Sequence, residues 1–136
     1  MREKSIIIAI AALAIGGAAF AQGQMAPVAQ TAGLKRTVIQ KFDVPAGDRE
    51  TVVALIDIPP NMDVARHTHP GPEVDYLLDG EVSLVVGDQP AKNYKAGDSF
   101  TIPQGTPHSA KSGPKGAKLL GTYIVEKGKP LASPAP

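Results

Sequence analysis

Turn signals between short apolar segments constrain the fold of this 136-residue chain more than any other feature. The chain holds 14 glycines and 13 prolines, and beyond position 21 no stretch has the 3.6-residue periodicity of an amphipathic helix. Short strands with turns about every 8–12 residues predict an all-β sandwich or barrel, and an eight-stranded double-sheet jelly roll fits the count. The predicted strands are 37–42, 51–58, 74–78, 81–86, 91–94, 99–102, 108–111 and 118–125.

Two of the turn signals carry specific predictions. Asp79 and Gly80 separate segments 74–78 and 81–86, and an Asp-Gly pair between apolar runs favours a two-residue hairpin. The sequence Gly-Pro-Lys-Gly at 113–116 is expected to end the segment that begins at residue 108.

The first 21 residues have the three parts of a secretory signal peptide. Arg2 and Lys4 form a basic start, residues 6–20 are largely apolar, and Ala19 and Ala21 flank Phe20 in a small-x-small cleavage pattern. The apolar stretch is shorter than the roughly 20 residues needed to span a bilayer. We therefore expect cleavage after Ala21, a periplasmic or secreted location, and no membrane association afterwards.

The remaining chain divides into three parts. Residues 22–33 lack periodicity and are predicted to be a flexible leader. Residues 34–127 are predicted to form the folded domain, and the Pro-rich residues 128–136 a flexible tail that cannot lie inside a sheet. A domain this small buries a limited core, and an open barrel has edges to cover. We therefore expect a homodimer.

Charge and cysteine content exclude several functions. Removal of residues 1–21 takes away Arg2, Glu3 and Lys4 and leaves as many basic as acidic residues, which argues against a nucleic-acid partner. The chain has no cysteine, so disulfides, thiolate metal sites and cysteine nucleophiles are excluded.

All three histidines of the chain fall near one carboxylate. His67 and His69 have the i, i+2 spacing that puts two side chains on one face of a strand. Glu73 follows after a Pro-Gly-Pro segment, and His108 follows a loop rich in Pro and Gly. Three imidazoles and a carboxylate suit one divalent Fe, Mn, Ni, Cu or Zn ion, and on an octahedral ion they leave two positions for water, substrate or O2.

Here the sequence resembles the cupin superfamily, whose two motifs read G-x5-H-x-H-x3-4-E-x6-G and G-x5-P-x-G-x2-H-x3-N. The chain departs from them at Asn61 and Ser112, which stand for the first Gly and the last Asn. Asn61 tolerates a positive φ and can still serve a turn. The residues at the motif positions are Asn61, His67, His69, Glu73 and Gly80, then Gly97, Pro103, Gly105, His108 and Ser112.

The resemblance implies a double-stranded β-helix barrel that holds one metal ion through His67, His69, Glu73 and His108. The short spacer between the two motifs is similar to that of small single-domain bacterial cupins, including the quercetin-dioxygenase-like group. The alternative is a cupin that keeps these residues in an internal hydrogen-bond network without an ion, although burial of so many polar groups is costly unless each has a partner.

Other residues near the motifs are assigned lesser roles. Arg66 alternates with His67 and is expected to face solvent. Tyr76, Phe100 and Tyr123 are expected in the core or the pocket wall. Gln104 precedes His108 in its loop and is a weaker candidate for reaching a molecule bound at the metal.

Three functions remain open at the level of sequence, because cupins share a fold and not a reaction. The first is a small metal-dependent dioxygenase in which Glu73 is the candidate base. The second is an O2-independent isomerase or lyase. The third is a non-catalytic module that binds a metal or a small ligand. In each case the expected partner is a small or largely apolar molecule and not a large charged one.

Overall fold

A computed structural model of the protein describes residues 32–45 and 47–136, and every regular element in that part is a strand. The predicted signal peptide and most of the predicted leader lie outside the described residues. Within them, no helix is long and apolar enough to cross a membrane. The strands are β1 (Lys35–Asp43), β2 (Arg49–Ile58), β3 (Asp63–Thr68), β4 (Glu73–Val86), β5 (Lys92–Lys95), β6 (Ser99–Ile102), β7 (His108–Glu126) and β8 (Ser133–Pro134).

The long strand β7 connects the two halves of the barrel. Its first residues pair with β3, and the part from Ala117 onward pairs with β2. Along its other edge β7 pairs with β4, which also pairs with β5 and β6. The result is one closed system with the order β1-β2-β7-β3-β8 and β4 attached to β7. The predicted all-β double-stranded β-helix is confirmed.

Alternating side chains fill the barrel. Strand β2 buries every second residue from Glu50 to Ile58, and the second half of β7 does the same, as expected for strands with one face toward a core. Ala54, Leu77 and Tyr123 have no exposed surface. The other core residues include Val52, Ile56, Val82, Leu84, Phe100, Ile102, Leu119 and Val125.

The predicted hairpin at Asp79-Gly80 and the predicted strand end at 113–116 are both wrong. β4 and β7 run through these positions, and irregular pairing flanks Gly80. Gly80 and Gly116 both have φ of 76°. A Cβ on Gly80 would lie 2.0 Å from the Gly116 carbonyl oxygen. The glycines let two paired strands distort together, which is the role of glycine in a β-bulge.

The expectation that residues 128–136 lie outside the barrel does not agree with the structure. Leu131 and Ala132 are each only 7% exposed. Strand β8 then pairs with β3, Pro134 opposite His67 and Ser133 opposite Thr68. Pro134 is tolerated because it adds to a sheet edge at the end of the strand order.

The outer face of the sheet exposes several apolar side chains. Tyr76 was expected in the core or the pocket wall, but it is 46% exposed. The reason is alternation along β4, since Asp75 and Leu77 point inward and Tyr76 therefore points out. Phe42, Val74, Leu78 and Ile124 are exposed as well.

Both departures from the cupin motifs have a structural role. Asn61 is the only non-glycine residue in the described part with positive φ, at 55°, as expected for its turn. The Ser112 hydroxyl donates to the Pro59 carbonyl at 2.6 Å and accepts from the Met62 amide at 2.9 Å. Ser112 therefore fixes the turn that precedes β3.

Replacement of Gly80 by alanine is expected to destabilise the protein more than the same change at Gly97. Gly97 has φ of 93° but no atom within 4 Å of a Cβ position, so Gly97→Ala costs about 1–2 kcal/mol from backbone strain. Gly80→Ala adds a clash with backbone and is expected to cost at least about 3 kcal/mol. Urea unfolding measures the free energy of unfolding of both variants. Equal losses of stability would contradict the close approach of Gly80 to the Gly116 backbone.

Candidate metal centre

The four predicted ligands come together at one end of the barrel. His67 lies in β3 directly opposite His108, the first residue of β7. Glu73 begins β4 after the chain turns back at Gly71, where a Cβ would lie 1.9 Å from the Ile124 carbonyl oxygen. The turn is tied to β7 because the Ile124 amide donates to the Pro72 carbonyl at 3.1 Å. Strand pairing thus positions His67 and His108, and a tight turn leads into Glu73.

The side-chain nitrogens of the three histidines converge, and the carboxylate of Glu73 lies beside two of them. One ring nitrogen from each of His67, His69 and His108 lies within 4.8 Å of the other two. Glu73 Oε2 is 3.0 Å from His69 Nε2 and 3.4 Å from His108 Nε2. The side chains of His69, Glu73 and His108 are nearly inaccessible, whereas His67 is partly exposed. The cluster therefore opens to solvent beside His67.

Each imidazole is oriented by a backbone carbonyl. His67 Nδ1 donates to the carbonyl of Ala65 at 2.7 Å and His108 Nδ1 to that of Thr106 at 2.9 Å. His69 Nδ1 donates to the carbonyl of Leu131 at 2.5 Å. A carbonyl only accepts, so the hydrogen of each ring lies on Nδ1 and the lone pair lies on Nε2. This tautomer and this outer support are typical of metal-ligating histidines.

The donor set fits a divalent ion. His69 Nε2 and Glu73 Oε2 are buried and make no hydrogen bond, although they lie 3.0 Å apart, because with the hydrogen on Nδ1 both atoms are acceptors. Ligand atoms 2.0–2.2 Å from a shared ion and at right angles to each other lie about 3 Å apart. A cation between the two atoms accounts for both the distance and the missing hydrogen bond.

Local electrostatics keep His67 in metal-binding form. Burial, with the neighbouring His108, lowers the pKa of His67 to about 4, so its imidazole is neutral at physiological pH. A neutral imidazole is the form that binds metal.

A small cavity of about 40 Å³ lies next to the cluster inside the barrel. Besides His67, Glu73 and His108, its lining includes Asp75 and Tyr123. Burial raises the pKa of both Asp75 and Tyr123, and the negative charge of Glu73 raises each further. The remaining lining is mostly aliphatic, with Ile56, Ile58, Val64, Val82, Leu84, Ile102 and Leu119.

Two side chains singled out from the sequence lie elsewhere. Gln104 accepts from Arg49 at 2.9 Å and donates to Glu126 at 3.3 Å, so it belongs to an exposed network and does not line the cavity. Arg66, which was expected to face solvent, is half-buried, and it donates to the carbonyls of Pro136 at 2.9 Å and Gly87 at 3.2 Å. It therefore holds the tail against β3.

Sequence reasoning missed the carbonyl acceptors of the imidazoles and the inward-facing Arg36, and it noted Asp75 as a polar residue near the motifs without giving it a role. Backbone carbonyls occur at every residue, so no sequence pattern marks the one on Leu131. A charged residue at an inward position of a strand is unusual and can be searched for. Asp75 occupies such a position in the predicted strand 74–78, and Arg36 occupies one in the observed strand β1.

Comparison with known proteins identifies the family of this chain. The family model of the cupin domain matches residues 54–126, which is more than half of the chain and includes all four clustered side chains. The protein belongs to the cupin family.

Individual relatives share only a low sequence identity with this chain. An H2HPP isomerase of Bacillus subtilis is 26% identical over 74 residues, which cover 54% of this chain and 30% of that protein. A conserved double-stranded β-helix protein of Klebsiella pneumoniae has a TM-score of 0.60 at 21% identity, with 80% of this chain and 90% of that chain covered. The polyketide cyclase of Streptomyces resistomycificus has a TM-score of 0.57 at 26% identity, with coverage of 71% and 68%.

Deletion of residues 130–136 is expected to weaken metal binding. It removes the Leu131 carbonyl that orients His69, and loss of such an outer partner typically costs about 10- to 100-fold in metal affinity. Titration with Zn²⁺ measures the effect, and the melting temperature of each metal-free protein separates it from lost stability.

The control is Lys129→Ala, which changes an exposed tail side chain paired with Glu126 and leaves residues 130–136 in place. It is expected to bind Zn²⁺ as the full chain does. Equal affinity in this variant and in the truncated protein would show that the tail does not support His69.

Proposed function

We propose that this protein is a metal-dependent cupin that holds one divalent transition metal through His67, His69, Glu73 and His108. The observation that carries the proposal is the pair of buried atoms, His69 Nε2 and Glu73 Oε2, that face each other without a hydrogen bond. Left without a cation, such atoms are costly to bury. An internal polar network without metal explains them less well.

The ligand atoms restrict the ion and its chemistry. Nitrogen and oxygen donors without sulfur suit Fe, Mn, Ni, Cu or Zn as divalent ions. When bound, such an ion is a Lewis acid that polarises an oxygen of the substrate. His67 borders the open side of the cluster, and Glu73 lines the adjoining cavity. Glu73 is thus both a ligand and the candidate base for a molecule held there.

Two reaction classes use this arrangement. O2-independent isomerase or lyase chemistry is favoured by the named activities of the relatives, an isomerase and a cyclase. The chain spans only 30% of the isomerase, so this reaction is proposed for the cupin site and not for the relative's whole activity. Dioxygenation, as in the quercetin-dioxygenase-like cupins, is the second candidate because four protein ligands leave two positions open on an octahedral ion.

We also propose that the protein is exported and forms a homodimer. Export is supported by the signal-like residues 1–21. Association is supported by the exposed apolar residues Phe42, Tyr76 and Leu78 on the outer sheet face, a kind of surface that often marks an interface. N-terminal sequencing of the exported protein and light scattering test the two parts.

His67→Ala and His69→Ala are each expected to lose Zn²⁺ affinity by at least about a hundredfold, because removing a ligand costs more than removing its outer support. Elemental analysis after purification without chelators, followed by Zn²⁺ titration, measures the loss. Gln104→Ala is the control, since Gln104 lies near the loop of His108 but outside the cluster. Unchanged metal content in both histidine variants would contradict the proposal.

The metal-loaded protein is expected to catalyse an isomerase or lyase reaction that does not consume oxygen. A panel of small carbonyl compounds in D2O under nitrogen is expected to show deuterium exchange next to the carbonyl, detected by NMR, that His108→Ala abolishes. The same protein is expected to give no oxygen uptake with flavonols or catechols. Oxygen uptake that disappears in His108→Ala would instead establish the dioxygenase, and binding of ligands without turnover would indicate a non-catalytic module.

A further inference from the structure

Three polar groups beside the metal cluster are buried without partners. They are Arg36 on β1, Asp75 on β4 and Tyr123 on β7, and their Nε, Oδ1 and hydroxyl atoms make no hydrogen bond. Asp75 is 4% exposed and Tyr123 is fully buried. Unpaired buried polar atoms are uncommon in folded proteins and call for an explanation. All three residues line the cavity that His67 and Glu73 also line, so a molecule in this cavity can satisfy them.

Arg36 is placed to bind such a molecule. It pairs across the sheet with the core residue Ile56, so its side chain points inward. Its Cζ lies 5.6 Å from the centre of the Tyr123 ring. That ring lies 4.9 Å from the imidazole of His69. A small molecule lying along Tyr123 therefore reaches both the guanidinium and the metal cluster.

The described residues leave Arg36 available. Its guanidinium forms no ion pair within 4.0 Å with any carboxylate in that part of the chain. It lies over the face of Tyr123, and its charge acts on Asp75 from beyond ion-pair distance. A guanidinium binds a carboxylate through two parallel hydrogen bonds. An anionic ligand is therefore the natural counterpart.

Asp75 on the same sheet provides an acceptor, and the volume of the cavity limits the size of the ligand. Gly121 faces Asp75 across the sheet, and a Cβ there would lie 2.7 Å from Asp75 Oδ1, so the glycine leaves room for the carboxyl group. The cavity of about 40 Å³ has room for about three water-sized groups. Only a short molecule, or the short end of a longer one, fits inside.

We propose that the cavity binds a short 2-hydroxycarboxylate. Its carboxylate accepts hydrogen bonds from Arg36 and Tyr123, and its hydroxyl donates to Asp75. The same molecule faces the cluster formed by His67 and its neighbours, so the inference rests on the proposed metal centre and names the class of molecule that it serves. Two donors and one acceptor distinguish this ligand from a simple carboxylic acid and from a neutral amide.

The test compares three compounds on the Zn²⁺-loaded protein by calorimetry in a buffer free of carboxylates. Glycolate is expected to bind. Acetate, which lacks the hydroxyl, and glycolamide, which lacks the charge, are each expected to bind at least about tenfold more weakly, as for the loss of a hydrogen bond to a charged group. Equal binding of all three compounds would overturn the inference, and so would the absence of glycolate binding.

Single substitutions test which side chains bind glycolate. Arg36→Gln is expected to weaken glycolate binding at least tenfold with unchanged Zn²⁺ content. Lys35→Gln is the matched control, because Lys35 is exposed and belongs to the opposite face of β1. Tyr123→Phe is expected to weaken glycolate binding without lowering the melting temperature, because the Tyr123 hydroxyl makes no hydrogen bond within the protein that the change would remove. Glycolate affinity that survives Arg36→Gln overturns the inference.

Metal content measured on the same samples separates the two proposals. A protein that holds Zn²⁺ but binds no glycolate overturns the ligand class and leaves the metal centre standing. A protein that binds glycolate through Arg36 but holds no Zn²⁺ supports the pocket and overturns the metal centre.

Discussion

The hydrogen bonds from three imidazoles to backbone carbonyls are the interactions on which the site depends. They place every hydrogen on Nδ1 and every lone pair on Nε2. The carbonyls of Ala65 and Thr106 lie two residues before the histidines they hold. The carbonyl of Leu131 comes from the distant tail. The side chains provide the ligand chemistry, and the fold provides the orientation that makes it usable.

That orientation in turn depends on two long strands that each serve both halves of the barrel. β7 carries His108 at its start and Tyr123 near its end, and β4 begins with Glu73. Both strands are distorted where Gly80 packs directly against the backbone of Gly116. The bend lets one pair of strands line the metal cluster, the cavity and the core at once.

The fold class and the cluster of four side chains were predictable because they depend on side-chain type and spacing. Alternation revealed most strands, and the spacing of His67, His69 and Glu73 matched a known motif. The hairpin at Gly80 was predicted wrongly because the same residue serves a tight turn and a β-bulge, and the choice between them is made by the opposing strand. The tail was misjudged for a similar reason, since the burial of Leu131 depends on a surface formed elsewhere.

The contribution of Leu131 also determines when the site can form. His67, His69 and Glu73 are made first, His108 later and Leu131 after them. Contacts this far apart in sequence form late in folding because long loops must close first. A partly synthesised chain that ends before residue 131 has all four ligands but lacks the support of one. Tight metal capture therefore begins only when residue 131 has been made and its carbonyl has reached His69.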